Sequence, residues 1–104
     1  MKIAILVREE TALKCTGRGC LKAFQQRKDA FSRYKDEDEL ELLAFTHVGG
    51  DLDHKIKKML KNGVETVHLS TCLRSKSPDY EELINRLSEH FNVVGYTHGP
   101  ESPS

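Results

Sequence analysis

The chain has no net charge: its sixteen basic and sixteen acidic residues cancel. A protein that binds nucleic acid through its phosphates needs a basic field, so that class of partner is not expected. It also has no apolar stretch long enough to span a bilayer, so no membrane partner is expected either. The segment after Met1-Lys2 holds only five apolar residues, Ile3 to Val7, too few for the core of a secretory signal. A cytoplasmic location is the expectation that follows. No internal repeat and no low-complexity block is visible. There are three cysteines, an odd number, and a reducing compartment disfavours a structural disulfide among them. Reactive thiols, metal ligands and inert packing residues remain as readings.

At 104 residues the chain makes one core and no more. Residues 1–98 read as a single domain and 99–104, with two prolines, as a frayed polar tail. Ile3-Ala4-Ile5-Leu6-Val7 reads as a buried first strand. Arg8 to Lys14 is a polar connection, long for a strand-to-helix loop. The segment from Leu21 to Tyr34 reads as a helix whose stripe is Ala23, Phe24, Ala30, Phe31 and Tyr34. Leu40 to Thr46 gives a second strand, and its near-continuous run Leu42-Leu43-Ala44-Phe45 predicts cover on both faces.

Asp51 is placed to cap a second helix with the stripe Leu52, Ile56, Met59 and Leu60, which Asn62-Gly63 closes. Val64 to Ser70 is the third strand. Ser77-Pro78-Asp79 carries the signals of a helix start, and Tyr80, Leu83, Ile84, Leu87 and Phe91 continue with the best helical period in the chain. Val93 to Tyr96 is a short fourth strand. Alternating strands and helices predict an α/β fold. The expected architecture is a four-stranded parallel sheet with helices on both faces, its order 2-1-3-4 by analogy with flavodoxin-like three-layer sandwiches.

In a parallel sheet the carboxyl ends of all strands lie on one edge. That edge collects Cys15 and Cys20 after the first strand, His47 after the second, Cys72 after the third and His98 after the fourth. Cysteines used only for packing would be scattered through strands and helices as well. Three chemistries fit. Cys15, Cys20 and Cys72 are soft ligands for zinc or iron, with His98 or His47 completing the shell. The four-residue gap between Cys15 and Cys20, with no second close pair, is not a zinc-finger spacing. That metal site is the leading reading; the alternative takes Cys20 or Cys72 as a nucleophile for thiol-based redox or transfer chemistry, Cys20 lying near a helix N-terminus beside Arg18. Gly17, Arg18 and Gly19 form a turn able to bind a small anion. The phosphate loop of low-molecular-weight phosphatases is not matched, because its arginine position holds Leu21. His54, His68 and His90 read as surface, satisfied and helix-end residues rather than ligands.

Laid out in this way, the chain resembles the CGGC-domain proteins, a family of small prokaryotic proteins linked to metal binding. The resemblance runs from the first strand to the fourth. It is carried by Cys15-Thr16-Gly17-Arg18-Gly19-Cys20-Leu21-Lys22-Ala23-Phe24, by His68-Leu69-Ser70-Thr71-Cys72, by Gly49-Gly50, and by Gly95-Tyr96-Thr97-His98. It implies a metal site, with Cys15, Cys20, Cys72 and His98 carried over. The chain departs from the family at the turn that names it, which here is Val48-Gly49-Gly50-Asp51. It also runs Arg74-Ser75-Lys76-Ser77-Pro78-Asp79 where members tend to carry Cys-Pro-His. His47 and Asp51 are the candidate substitute ligands. The same departures fit a module that kept the fold for interaction, with a second copy of the chain as one possible partner, after its site decayed.

Overall fold

The computed structural model describes residues 1–101. Four parallel strands form one sheet: β1 (Lys2–Val7), β2 (Glu41–His47), β3 (Thr66–Leu69) and β4 (Asn92–Val94). Their order is β2-β1-β3-β4, as the analogy with flavodoxin-like sheets predicts. The helices are α1 (Glu9–Ala12), α2 (Arg18–Gln26), α3 (Leu52–Lys61), α4 (Thr71–Lys76) and α5 (Tyr80–Ser88), with a 3-10 segment over Asp29–Tyr34. No helix among the described residues is long and apolar enough to cross a membrane.

The central strand β1 divides the core in two. Ala4 and Leu6 point to one face, where they meet Val67 and Leu69 of β3, the Leu52-Ile56-Met59 stripe of α3, Leu73 of α4 and Leu87 of α5. Ile3, Ile5 and Val7 point to the other face, toward Cys20 and Ala23 of α2 and Ala30, Phe31 and Tyr34 of the 3-10 segment. Ile3, Ile5 and Leu6 are wholly buried, each contributing roughly 1.5–3 kcal/mol of hydrophobic stabilisation. Asp51 caps α3 by accepting the His54 N–H at 3.0 Å, and Gly63 leaves that helix at a φ of +87°.

Four expectations change. The helix expected over Leu21–Tyr34 breaks, because Arg27 and Asp29 adopt left-handed backbone at φ of 51° and 54°. The Arg27 N–H closes α2 on the Ala23 and Phe24 carbonyls. A continuous helix from Arg18 to Tyr34 would run roughly 25 Å, well past the short strands it covers. The break instead folds Phe31 back, stacked on His68 at 4.3 Å between ring centroids. The second change concerns β2. Leu43 and Phe45 are each 38% exposed, so the apolar run does not mean cover on both faces. The register slips between Ile3 and Ala4, leaving Leu43 as the extra residue of a bulge on an edge strand.

Third, two short helices occupy stretches read as loops. Ser70 caps α4, and the Ser77 N–H closes it on the Leu73 carbonyl. That use of Ser77 moves the start of α5 to Tyr80, with Asp79 before it. Fourth, the tail expected to fray from Gly99 is tied down where it is described. The Gly99 N–H donates to Asp29 Oδ2, and the Arg74 guanidinium donates to the carbonyls of Pro100 and Glu101. The rest of the tail, 102–104, lies outside the described residues.

His68 is wholly buried in β3. Its Nδ1 lies 3.2 Å from the Tyr96 carbonyl, which only accepts, so Nδ1 carries the proton. Nε2 then accepts from the Tyr34 hydroxyl at 2.7 Å. Burial lowers the pKa of this neutral ring to about 4. Between that value and the ordinary 6.5 the unfolded chain binds more protons than the folded one, so stability falls as the pH drops through this window. The loss approaches roughly 3 kcal/mol below it. NMR titration of the His68 ring is expected to give a midpoint about 4; a midpoint near 6.5 would contradict the burial account. Gly17 enters α2 at a φ of +81°, and a Cβ there would stand 2.6 Å from Phe45 Cζ. Gly17→Ala is expected to cost roughly 1–3 kcal/mol in urea denaturation, and an unchanged midpoint would contradict the strained turn.

Candidate functional site

At the carboxyl edge of the sheet, the loop after β1, the start of α2, the start of α4 and the segment after β4 enclose a cleft of about 290 Å³. Cys15, Cys20, Cys72 and His98 all line it. Four residues far apart in the chain are therefore gathered at one place. Val7, Ala12 and Phe45 supply the apolar wall, and Gly17 and Gly19 the approach to α2. At Gly19 a Cβ would lie 3.1 Å from the His98 ring, so the missing side chain is what admits the imidazole. Arg18 is exposed and does not line the cleft, which leaves the expected anion turn with its glycines there and its cation outside.

A pair of threonines assembles this edge. Thr71, the first residue of α4, donates its hydroxyl to the His98 carbonyl at 2.7 Å and accepts the His98 N–H at 3.2 Å. The Thr97 N–H also reaches Thr71 Oγ1, at 3.4 Å. Thr97 is wholly buried, and its hydroxyl lies 3.1 Å from Cys20 Sγ and 3.4 Å from the Thr71 amide. The segment after β4 is thereby held to both α4 and α2.

The three thiols sit in different surroundings. Cys15 is exposed, and its sulfur accepts the Gly17 N–H at 3.3 Å. Cys20 is buried, and burial pushes its thiol pKa up. The Thr97 hydroxyl opposes that rise, while negative charge on Cys72 or Cys15 would add to it. Cys72 is half-buried, which also pushes upward, but donors outweigh the burial and hold its pKa below the ordinary value. The foremost donor is Ser70, whose Oγ lies 2.8 Å from Cys72 Sγ. The Arg8 amide, the Thr11 hydroxyl and the Leu73 amide add to it. A thiolate can only accept, so on ionisation of Cys72 each of these groups donates to it.

His47 and Asp51 are not brought into this cleft. The Nδ1 of His47 accepts the Gly49 N–H at 3.0 Å, and Asp51 is occupied as the cap of α3. Val48 and Asp51 line a separate cavity of about 380 Å³ with Asp79, Glu82 and Arg86. The fit to a metal ion is one of donor chemistry alone. No three Cys, His, Asp or Glu side chains among the described residues converge closely enough to hold an ion. Reading the strand ends brought out the thiols and His98. Ser70 stands there only as the last residue of the expected third strand, and Thr97, Thr11 and Phe45 carry no site signal of their own. The available signal was position: Ser70 and Thr97 leave the sheet on the edge that carries the cysteines.

Similarity to known proteins gives a family and no activity. The chain is similar to an uncharacterized protein of Methanocaldococcus jannaschii, 32% identical over 107 residues, with 89% of this chain and 81% of that protein covered. No solved structure matches it. The family model for the CGGC domain matches residues 2–98, across all four strands, and the chain belongs to the CGGC-domain family.

Proposed function

We propose that this is a thiol-dependent protein whose reactive group is Cys72, working in the apolar-walled cleft at the carboxyl edge of the sheet. One observation carries the reading: the Ser70 hydroxyl stands 2.8 Å from the Sγ of Cys72, a residue that lines the cleft. Ser70 is itself buried and accepts the Leu73 N–H, so its position is fixed by the start of α4. Thiolates rather than thiols attack soft electrophiles, and donors that stabilise the anion raise its share near neutral pH. His98 adds an imidazole at the cleft wall.

A second reading of the same residues is a bound soft metal ion, zinc or iron, held by Cys15, Cys20 and Cys72 with His98. Its support is the shared cleft and the thiolate and imidazole donor set, which suits those metals. It requires the side chains to converge further than they do among the described residues.

Alkylation with iodoacetamide, mapped by peptide mass, is expected to modify Cys72 faster than Cys15 or Cys20. The pH midpoint for Cys72 should fall below the ordinary thiol value of 9.0. Equal slow modification of all three would contradict the reading. Ser70→Ala is expected to move that midpoint back upward and, through loss of the cap, to cost about 1 kcal/mol of stability. An unmoved midpoint would remove Ser70 from the site. Adding zinc tests the second reading: a raised melting temperature with Cys72 protected from alkylation supports it, and no change in either counts against it.

A further inference from the structure

Cys20 is 6% exposed and is not needed to explain why Cys72 ionises. It nevertheless lines the same cleft, with its sulfur 3.1 Å from the Thr97 hydroxyl, which in turn lies 3.4 Å from the amide of Thr71, the chain neighbour of Cys72. A thiol in this position is shielded from molecules in solution. It shares a cleft of about 290 Å³ with Cys72 and with anything that becomes attached there. Cys15 lines the cleft too but is exposed, and its sulfur accepts the Gly17 amide.

We propose that Cys72 and Cys20 act as a nucleophile and its resolving partner, reducing a small disulfide that enters the cleft against Phe45, Val7 and Ala12. The inference rests on the reactive-thiol reading of Cys72. In the first step the Cys72 thiolate attacks one sulfur of the substrate, the substrate S–S bond breaks, and one half leaves as a thiolate that takes a proton from water. A mixed disulfide now joins the other half to Cys72. In the second step Cys20 attacks the Cys72 sulfur, the mixed disulfide breaks, and the Cys20 proton passes to the second leaving thiolate. Two protein thiols become a Cys20–Cys72 disulfide and the substrate disulfide becomes two thiols, so two electrons move and every atom is placed. The volume of about 290 Å³ and the apolar wall suit a small uncharged disulfide.

The test uses full-length protein carrying Cys15→Ser, so that only the pair remains, and limiting dithiodipyridine as the disulfide. Both halves of the reagent are expected to be released, leaving a protein with a Cys20–Cys72 crosslink and no pyridylthio adduct by mass. Adding Cys20→Ser should trap the adduct on Cys72. Circular dichroism of each variant establishes that it is folded. An adduct that persists on Cys72 with Cys20 present would overturn the pair and leave the reactive Cys72 intact. Failure of Cys72 to react at all would overturn both. In wild-type protein, a Cys15–Cys72 crosslink would also overturn the assignment of Cys20.

Discussion

The candidate site depends on the hydrogen bonds between Thr71 and the backbone of Thr97 and His98. They are polar contacts between segments 26 and 27 residues apart, set among groups that are wholly or half buried. A donor and an acceptor of one threonine are both used, so loss of that hydroxyl would leave a half-buried carbonyl and two amides poorly satisfied. The sheet alone brings the strand ends to one edge. This clasp fixes His98, and the Thr97 hydroxyl that meets Cys20, against the start of α4, beside the bonds that Ala30, Arg74 and Asp29 make to the chain beyond β4. Without it the edge would keep its thiols but lose the contact that sets His98 and Thr97 among them.

On that scaffold, thiols with the same intrinsic chemistry diverge through what surrounds them. Burial dominates at Cys20, while hydrogen-bond donors override burial at Cys72. One sulfur is thereby suited to attack and another to wait. The departure from the family's naming turn leaves this arrangement untouched. Val48 and Asp51 line the other cavity, on the side of α3 and α5, so their replacement removes nothing from the thiol cleft.

Much of this was legible in the residues because it follows from one-dimensional patterns. Continuous apolar β1, the Asp51 cap, the Asn62-Gly63 stop and the alternation of strands and helices all survive into the fold. That Cys15, Cys20, Cys72 and His98 reach one edge follows from parallel topology, while their meeting in one cleft also draws on the threonine contacts. The failures are tertiary. Nothing local marks Arg27 for left-handed backbone, since its conformation answers to the need to place Phe31 beneath His68. The bulge at Leu43 depends on register with β1. Whether donors face a sulfur, as Ser70 faces Cys72, depends on side-chain direction that spacing does not reveal.

The clasp can be tested apart from any chemistry. Thr71→Val keeps the shape of the side chain and removes the hydroxyl. Amide hydrogen exchange at Thr97 and His98, read together with alkylation of Cys20, follows the consequence directly. The account predicts faster exchange at both amides and a newly accessible Cys20 in a variant that remains folded. Unchanged protection of those amides, with Cys20 still shielded, would contradict the claim that this contact assembles the site.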